Sequence, residues 1–118
     1  MKLSKAQQEV IDYAKNRIDY AREHSFCDWF RKGYGKSVAS LNDAEVYEYI
    51  NKKHSEGWHM SIESETENYE MNRNGIDYLC HASSATIRKL EKLGLIEIIE
   101  DSCGAKCYGF DTIKLLNY

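Results

Sequence analysis

The sequence predicts an α+β fold, and three observations carry that expectation. The stretch Ser84-Ala-Thr-Ile-Arg-Lys-Leu-Glu-Lys-Leu-Gly94 reads as a short amphipathic helix with a glycine stop. Leu95-Ile-Glu-Ile-Ile99 follows without slack and has the β-branched character of a strand. Far upstream, Val10, Ala14, Ile18 and Ala21 recur at helical spacing, so a long helix opens the chain.

Taken in order, the first element is a helix from Leu3 to about Glu23. Ser4 is its candidate N-cap, and Gln7 three residues later completes a capping-box pattern. Ile11 widens the apolar stripe, while Asp12, Lys15, Asp19, Arg22 and Glu23 form the wet side. From Ser25 to Lys36, Phe26, Trp29, Phe30 and Tyr34 concentrate aromatics between glycines, as a short helical turn plugging the core would. An exposed aromatic patch for a partner is the competing reading. Ser40 to about Ser55 is a second helix, with Ser40 and Asp43 as start signals, Leu41, Ala44, Tyr47 and Ile50 as its apolar edge, and Gly57 as its end.

Trp58-His-Met-Ser-Ile62 alternates and predicts a short strand. The glutamates that follow read as a solvated loop or edge strand. Asn74-Gly75 marks a turn, and Ile76, Tyr78 and Cys80 alternate as a strand that feeds the helix at Ser84. In that helix Ile87, Leu90 and Leu93 share the core face. Ser83 or Ser84 caps its start and Gly94 ends it. Phe110 to Leu116 is the last strand, which makes a hairpin with Leu95–Ile99.

The chain has 118 residues, 42% hydrophobic and 30% charged, which fits one modest globular domain and argues against disorder. No apolar run reaches the ~20 residues of a membrane helix. Met1–Gln8 has no hydrophobic signal core, so a cytoplasmic location is expected. Net charge is −3, against the usual basic balance of DNA-binding domains. That mean conceals segregation, and the local field decides binding. Residues 83–94 carry Arg88, Lys89 and Lys92 against Glu91 alone. Residues 61–70 carry Glu63, Glu65, Glu67 and Glu70 with no Lys or Arg.

Helix, hairpin and basic helix face in this order resemble the C-terminal half of a winged helix-turn-helix domain. The resemblance covers about residues 76–116, with Leu3–Glu23 loosely as a first helix. Leu90-Glu-Lys-Leu-Gly-Leu-Ile96 is the most family-like string. It implies a single winged-helix-like domain over residues 1–118, with an acidic insertion around 58–75. In the family the corresponding helix lies in the major groove of double-stranded DNA and the hairpin touches the backbone. Carried over by position, Ser83, Ser84, Arg88, Lys89 and Lys92 would face DNA, with Thr86 nearer the buried side. Lys106 would be the wing contact. An ordinary solvated basic face is the bland alternative.

About 28 residues separate Ser55 from Ser84, where a helix-turn-helix places its two helices a few residues apart. Winged helices also serve as protein-binding modules. The chain is similar in style to small proteins of bacteriophages and prophages, which implies a small regulator. The alternative is a phage-type inhibitor of a host nucleic-acid enzyme, anti-CRISPR-like, meeting a basic protein through Glu63, Glu65, Glu67 and Glu70. Nine tyrosines favour such an interface.

Cys27, Cys80, Cys103 and Cys107 are expected as free thiols, the first two as small core residues. Cys103 and Cys107 flank the hairpin loop, and a cross-strand disulfide under oxidation is the variant reading. Their Cys-x₃-Cys spacing, even with Cys80-His81 nearby, lacks the matched pairs of a structural zinc site, so neither metal nor cofactor is expected. No nucleophile elbow, phosphate-binding glycine loop or metalloprotease motif is present, so no enzymatic activity is expected.

Overall fold

A helix that serves two cores organises the chain. A computed structural model describes residues 2–101 and 110–118, with backbone alone for 77–81, 100–101 and 110–111. The first helix, α1, spans Lys5–Glu23. Ser4 caps it as the sequence requires. Its hydroxyl accepts from the Gln7 N–H at 3.2 Å, and the Gln7 side chain accepts from the Ser4 N–H at 2.9 Å. Val10, Ile11, Ala14, Ile18 and Ala21 are all buried. The stripe from Val10 to Ala21 therefore covers about 17 Å of helix.

α2 (Phe26–Tyr34) follows, capped by Ser25, and a 3₁₀ turn over Gly35–Ser37 leads away from it. Trp29 and Phe30 are buried, as expected of an aromatic core plug. α3 spans Asp43–Ser55. Its cap is Asn42, not Ser40, because the Asn42 and Glu45 side chains bond each other's backbone N–H in a capping box. Its core contacts are Val46 and Ile50, whereas Tyr47 is exposed. Arg31 of α2 bonds the Leu41 carbonyl at 3.0 Å and the Asp43 carboxylate at 2.9 Å, pinning the start of α3.

The sequence reading fails at the next segment. No strand forms at Trp58–Ile62, and the glutamate-rich stretch is neither loop nor edge strand. Residues 62–73 form a helix, α4 (Ile62–Arg73), capped by the Ser61 hydroxyl accepting from the Ser64 N–H at 3.1 Å. Its inward face is Glu65, Asn68, Tyr69 and Asn72, at helical spacing but mostly polar. Without an apolar stripe, the alternating glutamates imitated a strand.

Gly75, at φ +90°, turns the chain out of α4. Its conformation favours glycine, and an added Cβ would stand 3.4 Å from an Arg22 nitrogen. Among the described residues three strands remain: β1 (Ile76–His81), β2 (Ile96–Asp101) and β3 (Phe110–Leu115), with α5 (Ser84–Lys92) between the first two. The sheet order is β1-β3-β2. β3 pairs antiparallel with both neighbours, placing Ile113 opposite Asp77 on one side and Ile98 on the other. β1 and β2 thus run parallel, and α5 is their crossover.

Two clusters share α1. One joins Val10, Ile11, Ala14 and Ile18 to Ile87 and Leu90 of α5 and to Ile96, Ile113 and Leu115 of the sheet. The other joins Ala21 to Trp29, Phe30, Val38, Val46, Ile50 and Tyr69. Leu93 is not a core residue. It lies just beyond α5 as the C-cap and is 42% exposed, against 0% for Leu90. Leu90→Ala should therefore cost about 2–5 kcal/mol in a denaturant melt, while Leu93→Ala should cost less than about 0.5 kcal/mol. Equal losses would undo this assignment of the helix face.

Candidate nucleic-acid interface

α5 is short, and its ends are held tightly. Ser83 is the N-cap, its hydroxyl accepting from the Thr86 N–H at 3.3 Å and lying 2.8 Å from the Thr86 hydroxyl. The Ser83 side chain is thus already engaged in the cap, although the residue is exposed. Ser84 is half-buried. Ile87 and Leu90 face the core, which turns Arg88, Lys89 and Lys92 outward, all exposed. Lys89 and Lys92 also complement the negative end of the helix dipole. Lys106 lies outside the described residues.

Glu91 is the one acidic residue of this helix, and its carboxylate is turned aside. It accepts the Ile98 N–H at 3.1 Å, fastening α5 to β2. α5 does not sit in a helix-turn-helix of adjacent helices, because β1 separates it from α4. The helix packed against it is α1, which lines a cleft with Ala82, Ser83 and Thr86 through Ala6, Glu9, Val10 and Tyr13.

The four glutamates do not make one acidic surface. Glu63, Glu67 and Glu70 are exposed at i, i+4 and i+7 of α4. Glu70 pairs with Arg73 at 3.6 Å. Glu65 points inward and is 4% exposed, so its place in a solvated or partner-binding stretch is corrected. The Tyr34 hydroxyl donates to it at 2.8 Å. Burial raises its pKa, and bonds from Tyr34 and Asn68 and the charge of Arg17 oppose that rise only in part.

A groove of about 550 Å³ lies between α1 and α2. Tyr13, Arg17, Tyr20, Trp29 and Lys32 are among its walls. The sequence reading did not single out this groove. Arg17 and Lys32 are distant in sequence, and each reads alone as a surface cation.

Cys27 is a buried free thiol, its pKa raised chiefly by burial. The Cys80 and His81 side chains, and Cys103 and Cys107 altogether, lie outside what is described. Among the described residues no group of three or more His, Cys, Asp or Glu side chains stands together to hold a metal ion. No helix among them is long and apolar enough to cross a membrane. Comparison with known proteins gave no matching family model, curated protein or solved structure.

Glu65 has a measurable consequence. Because folding raises its pKa, the folded chain holds the proton more tightly than the unfolded chain does. Its contribution to stability is present below the ordinary value of 4.5 and is lost as pH rises through the elevated folded value. Glu65→Gln should flatten the stability–pH curve above that ordinary value and should be no less stable than the parent at neutral pH. A deficit in the variant that grows with pH would contradict this.

Proposed function

We propose that the exposed face of α5 binds double-stranded DNA and that the protein acts as a small regulator of the phage or prophage type. The observation that carries this reading is the charge of α5 in its setting. Arg88, Lys89 and Lys92 project together from a helix whose other side is anchored in the core. Glu91 is held by the Ile98 N–H and keeps its charge, which leaves the cations of this helix in excess. Three cations on a rigid helix give a local positive surface despite the net charge of −3. The winged-helix resemblance adds the expectation that this helix enters the major groove, with the β2–β3 hairpin beside it and Lys106 reaching the backbone. α1 is the helix packed against α5, and in this reading it supports α5 on the duplex.

A specific observation favours a second reading, a non-enzymatic protein-binding module. Trp58 is 60% exposed and lines a cleft with Ser61 and Ser64 at the start of α4. Glu63 and Glu67 are exposed on that same helix. The Lys53 ammonium lies 5.2 Å from the Trp58 ring centre, and it is the exposed carboxylates of α4 that suit a basic protein partner.

Titration of a fluorescent duplex at several salt concentrations separates the two. Under the DNA reading the parent binds at low salt. Arg88→Ala with Lys92→Ala should weaken binding and flatten the salt slope by about one unit per lost phosphate contact. Glu63→Gln with Glu67→Gln should leave binding unchanged or slightly tighter. No binding by the parent to any duplex at low salt would reject this reading. Capture of one basic protein that is lost on Trp58→Ala would establish the other.

A further inference from the structure

We propose that the free edge of β2 is a latent pairing surface for a second copy of this chain, and that Glu91 is the latch that keeps it closed. The inference concerns the edge of the sheet, so it holds whether or not α5 binds DNA.

β3 lies in the middle of the sheet, with β2 at one side and β1 at the other. β1 packs against α1 and α4. Among the described residues no strand pairs with the outer side of β2. The register fixes which groups that side presents. The Leu116 N–H bonds the Leu95 carbonyl at 3.0 Å, and next along the strands Ile96 meets Leu115, Glu97 meets Lys114 and Ile98 meets Ile113. Hydrogen-bonded and non-hydrogen-bonded pairs alternate in an antiparallel ladder. Glu97 therefore bonds towards Lys114, whereas Ile96 and Ile98 turn their N–H and C=O groups away from β3. Leu115 agrees with this phase, because its N–H bonds the Gly75 carbonyl on the β1 side at 3.3 Å.

An edge of this kind is a template for another strand. Ile96, Ile98 and Ile99 have the β-branched character that favours one, and Ile99 is 47% exposed. The irregularity between Ile98 and Glu100 bends the far end, which leaves Ile96–Ile98 as the regular part of the edge. The occupant that fits is a second copy. Two identical edges running antiparallel are self-complementary about a two-fold axis. With the axis at Ile98, the two Ile98 residues would exchange both of their backbone bonds with each other.

Glu91 takes the donor that such a pair needs. Reaching from α5, its carboxylate accepts the Ile98 N–H at 3.1 Å. Two copies meeting at this edge would also bring their Glu91 carboxylates together, and like charges oppose that approach.

Sedimentation velocity tests the latch. The parent should run at the monomer mass of 13.7 kDa. So should Glu91→Gln, whose amide oxygen still accepts the Ile98 N–H. Glu91→Ala keeps a good helix former, yet it should rise toward twice the monomer mass between about 0.1 and 1 mM, the range of a weak interface. Adding Ile99→Lys to Glu91→Ala should restore the monomer, since lysine on an edge strand opposes pairing. Hydrogen exchange in dilute solution gives a second readout. The Ile98 amide should exchange about tenfold faster in Glu91→Ala than in the parent or Glu91→Gln, as loss of a bond to a charged acceptor implies. A Glu91→Ala protein that is still monomeric at about 1 mM, a parent that already pairs, or association that survives Ile99→Lys would overturn the proposal. So would equal exchange of the Ile98 amide in all three proteins.

Discussion

The burial of one continuous stripe along α1 is the constraint on which the rest of the structure depends. Val10, Ile11, Ala14 and Ile18 complete the cluster formed with α5 and the sheet, and Ala21 joins the cluster of α2, α3 and α4. Small residues at 14 and 21, both 0% exposed, let neighbouring elements approach closely. Polar ties reinforce the junction. Arg22 donates to the Arg73 carbonyl at the end of α4 at 3.0 Å, and the Tyr118 hydroxyl bonds Asp19. The Tyr69 hydroxyl donates to the His24 carbonyl just beyond α1. Without α1 the first cluster would lose Val10, Ile11, Ala14 and Ile18, and the second Ala21.

The same helix backs α5 and forms one wall of the groove with α2. Its N-terminal half supports α5 from below, which turns Arg88, Lys89 and Lys92 outward. Its middle supplies Tyr13, Arg17 and Tyr20 to the groove with α2. Carboxylates meet different surroundings along the chain. Glu91 accepts a backbone N–H, Glu70 pairs with Arg73, and Glu65 is buried beside Tyr34. A net charge of −3 is therefore a poor guide to the field at any one surface.

Where hydrophobic period and capping chemistry agree, the sequence was readable. Ser4 with Gln7, the stripe of α1, the Ile87–Leu90 face and the strands around Ile96 and Ile113 all appear as their residues imply. Reading failed where polar residues do the packing. The inward face of α4 is Glu65, Asn68, Tyr69 and Asn72, so neither an apolar stripe nor a low charge density announced a buried helix. Leu93 misled for the opposite reason. It continues the three-residue apolar spacing, but the helix ends at Lys92 and the side chain falls beyond the core. The groove was invisible for a third reason: its cations and rings converge only through the packing of α1 on α2.

The central claim is that α1 makes the two clusters one cooperative unit, and hydrogen exchange of Ile18→Ala tests it most directly. Ile18 is fully buried among α5 and the sheet, one turn from Ala21 in the other cluster. Truncating it should cost about 2–5 kcal/mol. The slowest-exchanging amides, at Ile87 and Leu90 in one cluster and at Phe30 and Ile50 in the other, should then lose protection by the same amount. Loss confined to α5 and the sheet, with Phe30 and Ile50 unchanged, would show two independently stable halves and contradict the account.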